Sequence, residues 1–245
     1  MLKSILLTIA TFYFSNLVVG QSMVLSPKNN PADITTLQSD SSLMEWIMLN
    51  DTLEIKIGDI KTRIQKQKEL TYIITEINMM QSPMQWVDST VVKSTTLEPV
   101  YHSSYNQQRD MVLRFGTNVE GYYLDKKSDT KTQIKENPTT SFFDSNFYPE
   151  YIRMLPFTNG YQDSISIFDY NPKSRTGVMT ATIKDTEKVI IQFKNEKKEV
   201  WKVVTTDDIS DNQTTVIYYF ETKSRKKLLQ EILFKGRKML MRLVE

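Results

Sequence analysis

The chain has no cysteine, one histidine and seven glycines in 245 residues, and each shortage closes a class of function. Without cysteine there is no disulfide framework, no thiolate nucleophile, no Cys-based zinc site and no cysteine for lipid attachment. With His102 alone, the two or three imidazoles of a usual transition-metal centre are missing. So few glycines leave no phosphate-cradling loop and no dinucleotide fingerprint. An excess of one charge is also lacking: Lys+Arg number 31 and Asp+Glu 29, and the lysines are spread through turns and strand faces. Phosphate binding needs a concentrated basic surface, so nucleic acid is not an expected partner. The basic run Lys223 to Lys227 reads as a solvated turn.

Long apolar runs are confined to the N-terminus. Lys3 supplies a short positive start, Ile5 to Val19 are mainly apolar, and Val18, Val19 and Gly20 precede a cleavage point before Gln21. The run falls short of the roughly 20 residues that a membrane helix needs. Residues 1–20 therefore read as a cleaved secretory signal peptide, and the expected location is the periplasm or cell envelope of a bacterium. An exported chain without disulfides must rely on its core. The remaining length of about 225 residues is enough for a single β sandwich or barrel.

What is present is period-two patterning. Residues 21–42 form a polar lead-in with Pro27, Asn29, Asn30 and Pro31, expected to be flexible apart from a short ordered stretch near Ile34 to Leu37. Residues 43–245 read as one domain. Val189, Ile191 and Phe193 alternate with polar or smaller residues, as do Met239, Met241 and Leu243, and Val216 to Phe220 is apolar on both faces. Turn signals recur at Gly116-Thr117-Asn118, Lys127-Ser128-Asp129, Asn171-Pro172, Asp185-Thr186, Asn195-Glu196, Asp207 to Asn212 and Lys235-Gly236. Short regular strands rich in Val, Ile, Thr, Tyr and Phe predict an all-β, antiparallel meander.

One segment breaks the rhythm. Phe147, Tyr151 and Leu155 fall at i, i+4 and i+8, the spacing of a helical apolar face. Ser145 or Asn146 can cap its start, Pro149 fits the first turn and Pro156 ends it, which predicts a helix near 145–156. A weak repeat flanks it. Tyr122 to Ser128 matches Tyr218 to Ser224, with a looser copy at Val91 to Thr96, and Lys68 to Thr75 resembles Lys198 to Thr205. Either a duplicated hairpin or the reuse of strand-and-turn chemistry gives this pattern.

Catalytic constellations are not legible. A Ser–His–Asp triad would need His102 with Ser103, Ser104 or Asp110, yet adjacent strand residues face opposite ways and no serine carries a nucleophile-elbow pattern. Asp207, Asp208 and Asp211 lack the spacing of a calcium loop and read as a polar turn. No catalytic residue, metal site or cofactor is expected, and the chain reads as non-catalytic. An enzyme would instead show converging carboxylates or a buried His102 with an acidic partner.

The middle of the chain carries a resemblance. Ser141-Phe142-Phe143-Asp144-Ser145-Asn146, the helical segment, Pro156-Phe157-Thr158-Asn159-Gly160-Tyr161 and the turn Phe168-Asp169-Tyr170-Asn171-Pro172 resemble uncharacterised exported bacterial β proteins, a domain of unknown function. These look like relatives of the LolA/LolB lipoprotein-carrier superfamily. The resemblance implies a curved antiparallel half-barrel whose concave apolar face accepts acyl chains. It transfers no site residues, and the lipid-anchoring cysteine of LolB is missing. The expected function is thus binding of an apolar or amphipathic ligand, a lipid or acyl chain, in a half-barrel cavity. The helix residues Phe147, Tyr151 and Leu155 would form its lid, and methionines such as Met79, Met80, Met84, Met111, Met154, Met239 and Met241 would suit an irregular ligand. The alternative is a structural or interaction module that binds an envelope protein through a sheet edge.

Overall fold

The computed structural model describes residues 24–82 and 84–244; the signal-peptide reading of residues 1–20 lies outside them. Among the described residues no helix is long and apolar enough to cross a membrane. The first meander is β1 (Asp40–Asn50), β2 (Leu53–Lys66), β3 (Leu70–Met79), β4 (Trp86–Lys93), β5 (Pro99–Tyr105), β6 (Arg109–Phe115), β7 (Val119–Asp125) and β8 (Thr130–Glu136). A two-residue strand β9 (Phe143–Asp144) and one helix, α1 (Tyr148–Ile152), follow. The second meander is β10 (Asp163–Tyr170), β11 (Thr176–Phe193), β12 (Glu196–Asp207), β13 (Thr214–Glu221), β14 (Lys227–Phe234) and β15 (Arg237–Leu243).

All fifteen strands belong to one sheet, in the order β8-β7-β6-β5-β4-β3-β2-β1-β15-β14-β13-β12-β11-β10-β9. The two meanders are joined by antiparallel pairing of β1 with β15, Trp46 standing opposite Met241. Every pair of named strands is antiparallel except β9 with β10. The terminal strands β8 and β9 are not paired with each other, so the sheet is a curved half-barrel rather than a closed barrel. Close backbone approach helps it bend: a Cβ on Gly121 would lie 1.8 Å from the Val112 carbonyl oxygen of β6, so only glycine fits there.

The curl brings the second meander into the concavity of the first. Phe168 and Tyr170 of β10 pack with Met111 and Leu113 of β6, Val119 and Tyr123 of β7, and Ile134 of β8. The opposite side of β10, Ile165 and Ile167, belongs to the main core with Phe143, Phe147 and Tyr151. Its outer edge is covered in two places, by β9 and by a parallel bridge from Leu25 to Ile165. In β13, Val216, Tyr218 and Phe220 are buried while Ile217 and Tyr219 are half-buried.

Three local expectations change. The helix is five residues, shorter than 145–156, and its N-cap is Phe147 with no side-chain cap. Ser145 and Asn146 do not cap it because the helix starts after them, with Phe147 at the N-cap, and their side chains donate to neighbouring strands, Ser145 Oγ to Asp169 and Asn146 Nδ2 to Thr90. A helix this short has no stability of its own and persists through burial. Asp185-Thr186 is not a turn but lies inside β11, where the register with β12 shifts between Ile183 and Asp185. The Asp185 carboxylate accepts the Thr186 N–H, so the polar pair satisfies a β-bulge instead of reversing the chain. From Val24 on, the lead-in is packed against the sheet: it contains 3-10 turns at Pro27–Asn29 and Ile34–Thr36, and Leu25 and Leu37 are buried.

The three repeat copies share one feature. Val91 to Thr96, Tyr122 to Ser128 and Tyr218 to Ser224 each run into a hairpin turn completed by a left-handed residue, Leu97, Asp129 and Arg225. Their likeness is thus one of turn geometry as well as of sequence.

Candidate functional site

The two ends of the half-barrel are built differently. At one end α1 fills the concavity. Phe147, Tyr151 and Leu155 have no solvent exposure and sit in the main core, with the Tyr151 ring stacked on Phe143 at 4.1 Å. Burial pushes the Tyr151 phenol above its ordinary pKa and keeps it protonated, and among the described residues its hydroxyl has no hydrogen-bond partner. Beside the helix, Arg153 Nε lies 3.0 Å from Glu150 Oε2, and Lys227 Nζ lies 3.9 Å from Glu150 Oε1. Burial would raise the Glu150 carboxyl, but the charges of Arg153 and Lys227 outweigh it and hold it below its ordinary value. The space left between these groups and Asp40 to Ser42 is about 20 Å³, room for about one water.

At the other end the β3–β4, β5–β6, β7–β8 and β10–β11 turns surround an open cleft of about 880 Å³. An up-and-down meander places alternate turns at the same end, and the inward curl of β10 adds the fourth. Met79, Met84, Trp86 and Tyr123 supply the apolar lining, while Asn106, Gln108, Arg109, Lys126, Lys127 and Lys173 supply much of the polar lining. Behind the apolar wall, Trp46 and Met241 pack in the same cluster as Met79 and Trp86. Met80 and Met84 are both exposed on the β3–β4 turn. Lys173 Nζ is 2.5 Å from Asp125 Oδ2, and Lys126 Nζ is 2.6 Å from Asp110 Oδ1. The Lys173 hydrogen bond, with the backbone N–H groups of Lys127 and Ser128, holds the Asp125 carboxyl below its ordinary value.

Between the two ends, where the second meander meets the first, runs a buried polar seam. His102 Nδ1 of β5 lies 2.9 and 3.1 Å from the two carboxylate oxygens of Asp144 in β9. Thr90 Oγ1 of β4 donates to Asp144 Oδ2 at 3.1 Å, and Asn146 Nδ2 donates to Thr90 Oγ1. Ser145 Oγ donates to Asp169 Oδ1 of β10 at 2.8 Å. Burial alone would depress the His102 pKa, but the charge and hydrogen bond of Asp144, helped by Asp88 and Asp169, leave it raised. Burial raises the Asp169 carboxyl.

These placements sort the sequence expectations. His102 does have a buried acidic partner, the arrangement set out above as the mark of an enzyme. His102 is 5% exposed and Asp144 0%, and among the described residues the hydrogen bonds of the ring run to Asp144 alone. Phe147, Tyr151 and Leu155 are gathered in one core cluster, Tyr151 within α1, Phe147 at its N-cap and Leu155 beyond its end, yet none of them lines the cleft. Of the seven methionines singled out, Met79 and Met84 line it and Met241 backs it, whereas Met154 and Met111 lie in closed core. Asp207 serves the β12–β13 turn by accepting the Ser210 N–H, and Asp208 ties that turn to β11 by accepting the Thr180 N–H. Arg109, Lys126, Lys127 and Lys173 were not expected at a site. Their signal was the alternation of turns, which puts Asn106 to Arg109 and Asp125 to Lys127 at one end.

No curated protein is similar to the chain. A solved structure, the β-barrel-like protein of domain of unknown function DUF1849 from Brucella abortus, is similar at 11% sequence identity, over 84% of this chain and 95% of that one, with a TM-score of 0.48. The sequence matches the family described as "Protein of unknown function (DUF3108)" over residues 43–242, and the chain belongs to that family.

Proposed function

We propose that the protein is a non-catalytic, exported binder of an apolar or amphipathic ligand, a lipid or acyl chain, held at the open mouth of the half-barrel. The observation that carries this is the cleft of about 880 Å³ walled by Met79, Met84, Trp86 and Tyr123. Its size is within the range of small-molecule sites, and unbranched thioethers adapt to an irregular chain. Export rests on the signal-like residues 1–20, and the envelope would supply such ligands. A carrier of this kind would parallel the LolA/LolB proteins in task but hold its ligand at the rim, because α1 fills the other end of the concavity. The His102–Asp144 pair then serves to fasten the two meanders rather than to move protons for a substrate.

A second reading, an envelope module that binds a protein through a sheet edge, is favoured by β8, whose outer edge is unpaired among the described residues. Lys131 and Lys135 on that strand are the kind of charges that discourage edge pairing, so it ranks behind.

The test is mass spectrometry of lipids extracted from the protein purified from its native envelope, beside a Met84→Asp variant. A stoichiometric lipid that is lost in the folded variant is the expected result. A wild-type protein free of lipid but stoichiometric with an envelope protein would overturn the ligand reading and leave the edge reading.

A further inference from the structure

Resting on the reading of the mouth as a ligand cleft, we propose that its ligand is a single-chain anionic amphiphile, with a carboxylate or phosphate-monoester head at Arg109 and Lys127 and the tail along Met79, Met84 and Trp86. The cleft is chemically two-sided. The β3–β4 side offers thioethers and an indole, while the β5–β6, β7–β8 and β10–β11 turns bring Arg109, Lys126, Lys127 and Lys173 against one lining carboxylate, Asp125. Two of the four cations are already neutralised, Lys173 by Asp125 and Lys126 by Asp110. Asp125 is fixed further by accepting the backbone N–H groups of Lys127 and Ser128. Arg109 and Lys127 remain.

Arg109 is the more telling of the two. Among the described residues its Nε is buried without a hydrogen-bond partner, and Nη2 reaches the Ser104 hydroxyl alone, at 3.4 Å. A guanidinium presents a planar fork of donors that matches a carboxylate or phosphate, and a charged acceptor restores what burial removed. Lys127, on an exposed turn, adds a second cation without steric demand. Arg109 is faced by the buried Asp169 carboxylate and Lys127 by solvent, so a neutral head would gain no charge pairing from either, and a cationic head would be repelled. The apolar wall then sets the other half of the ligand, because an anion without a tail would leave Met79, Met84 and Trp86 uncovered.

Calorimetric titration of the mature protein with dodecyl phosphate, dodecyl maltoside and dodecyltrimethylammonium, each below its micelle concentration, tests the assignment. Expected is at least about tenfold tighter binding of dodecyl phosphate than of the cationic amphiphile, about 1.4 kcal/mol. Lys127→Gln, an exposed change that leaves the fold intact, and Arg109→Gln should each lower the ratio of dodecyl phosphate affinity to dodecyl maltoside affinity. Equal affinity for all three heads would overturn the charge assignment and leave the ligand cleft standing. Binding by none of them would remove the ligand cleft itself. Inorganic phosphate binding as tightly as dodecyl phosphate would show a free-anion site. Capture on anionic phospholipid vesicles without binding of the monomer would show a lipid surface as the partner; either result overturns the proposal.

Discussion

The filled end of the half-barrel and its open mouth are made from the same kind of residue. Phe147, Tyr151, Ile152, Met154 and Leu155 are apolar, and so are Met79, Met84 and Trp86. The first group is 0–1% exposed and surrounded by two meanders and a helix, whereas Met84 is 46% exposed and stands on a turn. The difference lies in what the chain lays over them. The segment between β8 and β10 fills the concavity at one end, and none of its residues lines the mouth. Apolar side chains buried by the protein's own chain are structural. Those left at the rim of a cleft are available to something else.

The sharpest way to break the comparison is to empty the filled end. Phe147→Ala should cost about 3–5 kcal/mol, the usual range for deleting a fully buried aromatic ring, and would be read as a fall in urea midpoint with little change in slope. A loss under about 1 kcal/mol would mean that α1 is a loosely held lid. Next comes the seam. Asp144→Ala strands a buried imidazole and leaves Thr90 and Asn146 without their acceptor chain, so destabilisation of about 3 kcal/mol is expected, with His102→Asn smaller.

The seam should also respond to pH with a fixed sign. Folding raises His102 above its ordinary 6.5 and Asp169 above its ordinary 3.8. Both groups therefore hold their protons more tightly in the folded protein than in the unfolded chain. The His102 contribution is complete below about pH 6.5 and is lost as pH rises through its folded value. The difference in urea midpoint between wild type and His102→Asn should shrink on going from about pH 6 to more alkaline buffer. A difference that grows over that range would mean that the ring is held neutral.

The smallest stability effect belongs to the mouth. Met84→Ala should change unfolding free energy by less than about 0.5 kcal/mol, since it lies on an exposed turn, while weakening amphiphile binding. A large loss of stability would make Met84 part of the core and remove the contrast.

Much of this was legible in sequence and some of it was not. Alternation and turn chemistry located most strands, and Asn171-Pro172 and Lys235-Gly236 mark turns where the chain does reverse. Asp185-Thr186 misled because an Asx contact serves a bulge as well as a turn. Phe147, Tyr151 and Leu155 announced an apolar helix face, but burial on all sides depends on β10 to β13 arriving from later in the chain. Asp144, Ser145 and Asn146 stood out as a motif. Their partners Thr90, His102 and Asp169 are 24 to 56 residues away, and no local pattern encodes that pairing. The cationic side of the mouth was the least legible part, because Arg109, Lys126 and Lys173 each look like ordinary turn residues until the curl sets them around one space.

The contrast between the two ends can be watched directly through the methionines. Protein labelled with 13C at the methionine methyls should be titrated with dodecyl phosphate below its micelle concentration. The Met79 and Met84 methyl signals should shift in proportion to occupancy, while those of Met154 and Met179, enclosed in the main core, stay in place. Movement of Met154 and Met179 with Met84 unchanged would place the ligand under α1 and contradict the division between a filled end and a receptive mouth.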